Sequence, residues 1–140
     1  MKLIVAFTLV FAFVAGCSED ASLTEEQRVT ALLSGESWEV NRVEVDGQDK
    51  SDLFADFSLQ FKEDKTYTST GITRVWARSG TWQFTDPINP TVLLRDDGVE
   101  VTLETLSEQQ LVLVLNWSTT TISGGRGSSV RGNHRFVLQR

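Results

Sequence analysis

The chain has 140 residues, with 13 basic and 19 acidic side chains, a formal net charge of −6 and a single cysteine. This length supports one domain with its own core and is short for two. The acidic balance argues against nucleic acid as a partner, because phosphate binding needs clustered lysine and arginine. One cysteine excludes an internal disulfide and a site built from several thiolates.

The first 16 residues have the parts of a secretory signal. Lys2 is followed by an apolar run from Leu3 to Phe13 and then by the small residues Ala15 and Gly16. This run is shorter than the roughly 20 apolar residues that a membrane-spanning helix needs. We therefore expect residues 1–16 to be a signal peptide that is removed, not a spanning segment.

The sequence Val14-Ala15-Gly16-Cys17 resembles a lipobox, the recognition motif of bacterial lipoproteins. The resemblance implies cleavage before Cys17, acylation of that cysteine, a lipidated tether at residues 17–22 and stable attachment to an envelope membrane. The alternative is an ordinary signal peptide with an incidental cysteine. Ser18 fits the enterobacterial sorting pattern for the outer membrane, and Ser18-Glu19-Asp20 resembles the export tract of surface lipoproteins in Bacteroidetes. Both the periplasmic face and the cell surface remain open.

Residues 23–140 are predicted to form one domain that begins with a helix at residues 24–34. Thr24 and Gln27 have the spacing of a capping box, and two glutamates, Glu25 and Glu26, favour the positive end of the helix dipole. Gly35 is the expected stop.

Beyond Trp38 the apolar residues recur with a period of two. Phe57, Leu59 and Phe61 alternate with polar residues, and turn residues separate one such run from the next. The pattern predicts strands near residues 37–45, 56–62, 65–70, 72–76, 79–85, 91–95, 98–106, 109–117 and 130–139. Eight or nine strands with short connections favour an all-β, antiparallel up-and-down barrel over an open sandwich, since closure removes exposed edges.

The order of several local patterns resembles the small lipocalin-like lipoproteins of Bacteroidetes. These patterns are Gly35-Glu36-Ser37-Trp38, Asp46-Gly47, the alternating run from Phe57 to Phe61, Lys62-Glu63-Asp64-Lys65-Thr66-Tyr67 and Ser79-Gly80-Thr81-Trp82. The resemblance implies a lipocalin-like barrel with an internal pocket for a small, mostly apolar molecule and no catalytic residues. It also implies that an arginine of the last strand packs over Trp38, for which Arg135 and Arg140 are both candidates.

Aromatic residues on the predicted strands are the candidate walls of such a pocket, because apolar ligands are held by apolar and aromatic side chains. They are Phe57, Phe61, Tyr67, Trp82, Phe84 and Trp117. The alternative is a solid core without a cavity. Trp76, between Arg74 and Arg78, is expected at the surface, either at the rim or as an isolated aromatic residue.

The polar, glycine-rich stretch Ser118–Ser129 is predicted to be a loop at the barrel mouth. It is either a lid, in which Arg126, together with Arg131, meets an anionic group of the ligand, or a solvated hairpin.

Nothing in the sequence points to catalysis, a metal or a cofactor. His134 is the only histidine and has no nucleophile in a recognised arrangement, and its spacing from the carboxylates forms no metal-ligand cluster. Asp96-Asp97-Gly98 is typical of a hairpin turn. The sequence therefore predicts a non-enzymatic, lipid-anchored envelope protein that binds a small hydrophobic or amphipathic ligand. The alternative is an envelope interaction module with a solid barrel that binds another protein through its loops.

Overall fold

The computed structural model describes residues 21–71, 74–118 and 131–140. A helix, α1 (Glu25–Leu33), precedes the strands, and a short 3₁₀ helix lies at Ser51–Phe54. The strands within these ranges are β1 (Trp38–Val45), β2 (Gln48–Asp49), β3 (Ser58–Phe61), β4 (Thr66–Thr70), β5 (Ser79–Phe84), β6 (Val92–Arg95), β7 (Glu100–Leu106), β8 (Gln110–Trp117) and β9 (Gly132–Gln139).

The strands form one antiparallel sheet that closes on itself. Each strand from β3 to β9 pairs with its neighbour along the chain, β1 pairs with β3, and β9 pairs back with β1 from Glu39 to Val45. The result is a closed barrel of eight strands, and β2 is a short additional strand against the end of β1. The prediction of an all-β, lipocalin-like up-and-down barrel with one short helix is confirmed.

Helix α1 begins and ends where its caps require. The Thr24 hydroxyl accepts a hydrogen bond from the Gln27 amide at 3.2 Å, and the Gln27 side chain accepts one from the Thr24 amide at 2.9 Å, so the capping box is complete. Gly35 follows the helix with φ of +109°, a backbone conformation that residues other than glycine rarely adopt. The helix predicted at residues 24–34 is confirmed to within one residue at each end.

Helix α1 lies against one end of the barrel, which we call the base. Leu33 is fully buried in the core, and Ser34 forms an isolated bridge with Phe61 at the end of β3. Lys65, in the turn after β3, contacts Glu26 of the helix at 3.0 Å. Because successive strands run in opposite directions, the β5–β6 and β7–β8 turns lie at the base as well.

Two residues from opposite ends of the domain fasten the base. The guanidinium of Arg140 lies 3.8 Å from the ring centroid of Trp38, and Nη2 of Arg140 donates to the carbonyls of Leu32, Leu33 and Ser34. The Trp38 indole N–H donates to the Leu33 carbonyl at 2.9 Å. Of the two candidate arginines, Arg140 therefore packs over Trp38.

At the opposite end of the barrel, which we call the mouth, the described residues include the β1–β2 turn, the 3₁₀ helix, residues 74–78 and the β6–β7 turn at residues 96–99. The part of the predicted strand 72–76 that the structure describes, residues 74–76, is not a strand. The reason is that β4 pairs directly with β5, from Thr68 opposite Ser79, so residues 74–76 belong to the connection between these two strands. The helices within the described ranges include none that is long and apolar enough to span a bilayer.

Candidate functional site

Trp76 lies inside the barrel among four other aromatic rings. Its side chain is only 1% exposed, so the expectation of a surface residue is wrong. Its ring centroid lies 5.5 Å from that of Tyr67, 6.3 Å from Phe136 and 6.4 Å from both Phe57 and Phe61. The connection between β4 and β5 thus carries a large aromatic side chain into the space that the barrel encloses.

Arg95 faces the interior of the barrel from the end of β6. Its side chain is 1% exposed, and its guanidinium lies 4.5 Å from the ring centroid of Trp76. One nitrogen donates to the Val75 carbonyl at 2.8 Å, and two others donate to the Asp97 carboxylate. The buried positive charge is therefore paired, and it also holds the segment that carries Trp76.

Tyr67 extends its hydroxyl across a glycine of the next strand. Tyr67 pairs with Gly80, where an added Cβ would lie 2.8 Å from Tyr67 Oη and 2.7 Å from Asp96 Oδ1. Glycine at this position leaves room for both groups. Burial raises the pKa of Tyr67, and the nearby carboxylates of Asp97 and Asp96 act in the same direction against Arg95, so the hydroxyl stays protonated at neutral pH.

Four buried side-chain polar atoms of the barrel strands and of the β4–β5 connection have no hydrogen-bond partner among the described residues. They are Tyr67 Oη, Trp76 Nε1, Trp117 Nε1 and His134 Nε2. Trp117 ends β8, His134 is near the start of β9, and Trp76 lies between β4 and β5, so these three come from the mouth side. A fifth such atom, Ser34 Oγ, lies at the base. Buried polar atoms normally have hydrogen-bond partners, which water or a ligand is able to supply.

His134 is held as a neutral ring. It stacks on Phe136 with centroids 5.9 Å apart, and its Nδ1 lies 3.1 Å from the Gly132 carbonyl. Because a carbonyl can only accept, Nδ1 carries the proton and Nε2 is left as an acceptor. Burial lowers the pKa of His134 more than the Gly132 hydrogen bond and Asp46 raise it.

The aromatic residues of β5 lie on the base side of the rings that surround Trp76. Trp82 is 5.7 Å from Phe61 and 5.2 Å from Phe84, measured between ring centroids. Lys65 Nζ lies 4.5 Å from the Trp82 ring centroid and 4.6 Å from that of Phe84. The Trp82 indole N–H already donates to the Thr66 carbonyl at 3.1 Å, so this part of the interior is apolar and internally satisfied.

The residues predicted to line a pocket thus fall into distinct groups. Phe57, Phe61 and Tyr67 meet around Trp76, and Trp82 and Phe84 adjoin Phe61. Trp117 is partly buried and packs against the core from β8. Arg131 is exposed and donates to the Ser118 carbonyl at 3.1 Å. Cys17 and Arg126 lie outside the described residues, as do residues 119–130 of the predicted loop.

Three of the buried residues described above were not identified from the sequence as part of a site: Trp76, Arg95 and His134. A signal for Arg95 existed, because it shares the inward side of β6 with Leu93, two residues earlier. His134 likewise alternates with the inward-facing Phe136 and Leu138. The segment around Trp76 has no period that would place its side chain inside.

Within the three described ranges, no group of three or more histidine, cysteine, aspartate or glutamate side chains could hold a metal ion. Searches against protein-family models and against curated proteins find no match for the chain. The arrangement that remains is a set of hydrogen-bonding groups among aromatic rings, which suits binding.

Proposed function

We propose that this protein is a lipid-anchored lipoprotein of the cell envelope, at the outer membrane, whose barrel binds a small hydrophobic or amphipathic molecule without reacting with it. The lipobox-like sequence ending in Cys17 supports the anchor. The arginine of the last strand that packs over Trp38 supports kinship with lipocalin-like lipoproteins.

One observation carries the ligand-binding part of the proposal. Four of the five buried side-chain polar atoms that lack a partner among the described residues belong to Tyr67, Trp76, Trp117 and His134. Leaving a buried donor or acceptor unsatisfied costs roughly 1–3 kcal/mol. A barrel interior selected only for packing would have apolar residues at these positions, whereas a binding site needs a few polar groups among aromatic walls.

The second candidate function, an interaction module with a solid barrel, is favoured by a different observation. Trp76 contacts four aromatic rings and the Arg95 guanidinium, so it fills interior space that a ligand would otherwise occupy. For a ligand to bind among these rings, the Trp76 side chain has to move, and the connection between β4 and β5 that carries it has to change conformation. Binding and solid packing therefore predict different results in the same experiment.

The experiment is native mass spectrometry of protein produced from Ser18 onward, which contains the closed sheet and its core, followed by extraction of bound small molecules. We expect a co-purified apolar compound that is lost in Trp82→Ala protein with a wild-type circular dichroism spectrum. A Leu53→Ala variant is the control, because Leu53 is 44% exposed and outside the barrel core. An empty barrel that also ignores fatty acids and hydrophobic dyes would leave the interaction module as the better proposal.

The anchor is tested separately in a bacterial host. We expect labelled palmitate to be incorporated into the full chain and the protein to fractionate with outer membranes. Cys17→Ser should abolish the label, and Ser18→Ala, one residue away, should retain it. Incorporation that persists in Cys17→Ser would contradict lipidation at this position.

A further inference from the structure

The proposed function does not specify the chemistry of the ligand. On the premise that a ligand binds inside the barrel, the geometry points to its chemical class. We infer that the ligand carries an uncharged hydrogen-bond acceptor, such as the carbonyl oxygen of an ester, ketone or amide, on an otherwise apolar body. Tyr67 Oη and Trp76 Nε1 are the groups that bind this oxygen.

Tyr67 and Trp76 each bury a polar atom that is able to donate a hydrogen bond. The Trp76 indole nitrogen can only donate, and the protonated Tyr67 hydroxyl has one hydrogen to donate. Both atoms are buried without a partner among the residues that the structure describes, and their rings are in edge-to-face contact with centroids 5.5 Å apart. A buried donor without a partner needs an acceptor, so the complementary part of the ligand is an acceptor oxygen.

The charges observed around Trp76 disfavour an anion. Arg95 stacks on the Trp76 ring, but its guanidinium already donates to the Asp97 carboxylate and to the Val75 carbonyl. A second carboxylate oxygen, Asp96 Oδ1, lies close to the Tyr67 hydroxyl, because both would contact a Cβ at Gly80. Two carboxylates near one paired cation repel a further negative charge.

The rings around Trp76 suit a ligand with an apolar body. Phe57, Phe61 and Phe136 surround Trp76 with ring centroids 6.3–6.4 Å away, and each is at most 1% exposed. A part of the ligand that displaces these rings, or that extends between them, loses its hydration and gains only apolar contacts. A polar oxygen at one end and hydrocarbon elsewhere match this division.

The test compares three probes with similar hydrocarbon chains: methyl decanoate, the decanoate ion and decane. Their affinities are measured at neutral pH by displacement of a hydrophobic fluorescent dye from protein produced from Ser18 onward. We expect methyl decanoate to bind about tenfold more tightly than either of the others. Tyr67→Phe and Trp76→Phe should each lower the affinity for the ester by roughly three- to tenfold, the value of one hydrogen bond, and leave the affinity for decane unchanged.

Ser69→Ala is the matched control. Ser69 lies two residues beyond Tyr67 on the same side of β4, but its hydroxyl already donates to the Ala77 carbonyl at 2.8 Å. Its removal should not change the preference for the ester. Urea unfolding of each variant shows that a change in affinity is not a loss of fold.

The outcomes separate this inference from the function on which it rests. Tighter binding of decanoate than of the ester, or an ester preference that survives in both Tyr67→Phe and Trp76→Phe, would overturn the inference while ligand binding stands. Failure of the folded wild-type protein to bind any of the three probes would overturn the proposed ligand-binding function itself.

Discussion

Arg140 lies over Trp38, with its guanidinium 3.8 Å from the ring centroid, and the same side chain donates to three carbonyls at the end of α1. The last carbonyls of a helix have no partner within the helix, so they need donors from outside. One residue thus joins the end of β9, the start of β1 and the end of α1. This contact fixes the helix across the base of the barrel.

Arg140→Ala should lower the free energy of unfolding by about 2 kcal/mol, because it removes a cation–π contact and charge-assisted hydrogen bonds. Arg135→Ala, on β9 five residues before Arg140, is the control. Arg135 pairs with Glu104 and Glu44 near the surface, where ion pairs contribute little, so its loss should have a much smaller effect. Urea titrations that give both variants the same stability would contradict the role of Arg140.

Asp97→Ala should destabilise the protein more than a surface substitution does, because it leaves the Arg95 guanidinium buried without its counter-ion. The Asp97 side chain is 38% exposed, so solvent reduces the loss and we expect about 2 kcal/mol. Adding Arg95→Met should restore part of this stability, since the buried charge is then gone. The comparison is made by thermal unfolding. A double variant less stable than Asp97→Ala would show that Arg95 stabilises the fold by other contacts.

The barrel was predictable because local alternation of apolar and polar residues indicates its strands. Phe57, Leu59 and Phe61 alternate in sequence, and all three are buried in the structure. Closure by pairing of β9 with β1 could be expected because it leaves no long edge exposed. The strand prediction is wrong for residues 74–76, because an apolar pair such as Val75-Trp76 gives the same sequence pattern in a strand and in a connection whose side chains are buried.

The candidate site was harder to predict, since its polar residues depend on contacts far apart in the chain. Sequence patterns select aromatic residues on strands, which placed Phe57, Phe61 and Tyr67 in the interior. Alternation with Leu93 places Arg95 on the inward side of β6, but it does not identify Asp97, Val75 and Trp76 as the groups that surround the guanidinium. Choosing Arg140 over Arg135 likewise required knowing where α1 ends.

Gly80→Ala should displace the Tyr67 hydroxyl and destabilise the protein by about 1 kcal/mol. An added methyl group would lie 2.7 Å from Tyr67 Cε1, which is too close for an undisturbed contact. Elsewhere in a strand, this substitution would stabilise slightly by restricting the unfolded chain. Ser79→Ala, at the exposed neighbouring position, is the control. Equal or greater stability of Gly80→Ala in urea would contradict the close packing of Tyr67 on this glycine.

Stability should fall as the pH is lowered below about 6.5, the ordinary pKa of histidine. Burial lowers the pKa of His134 in the fold, so between the two values the unfolded chain binds more protons than the folded one. The stability that the neutral His134 contributes is fully present above the pKa of histidine in the unfolded chain. It is lost as the pH falls through the lower pKa of His134 in the folded protein. Unfolding free energies measured from pH 7.5 to about pH 5 should show this slope.

His134→Phe keeps an aromatic ring against Phe136 but cannot take up a proton. Its unfolding free energy should be flatter over the same pH interval. Parallel pH profiles for the variant and the wild type would show that His134 does not cause the slope.

The central claim, that a ligand binds inside the barrel at the free donors, is tested most directly by the indole N–H signals of the four tryptophans in nitrogen-15 NMR. Trp38 and Trp82 donate to Leu33 and Thr66, whereas Trp76 and Trp117 have no partner among the described residues. On addition of methyl decanoate, the Trp76 signal should move furthest, and that of Trp38, which lies at the base under Arg140, should stay in place. Saturation of the protein with no movement of the Trp76 signal would contradict binding inside the barrel.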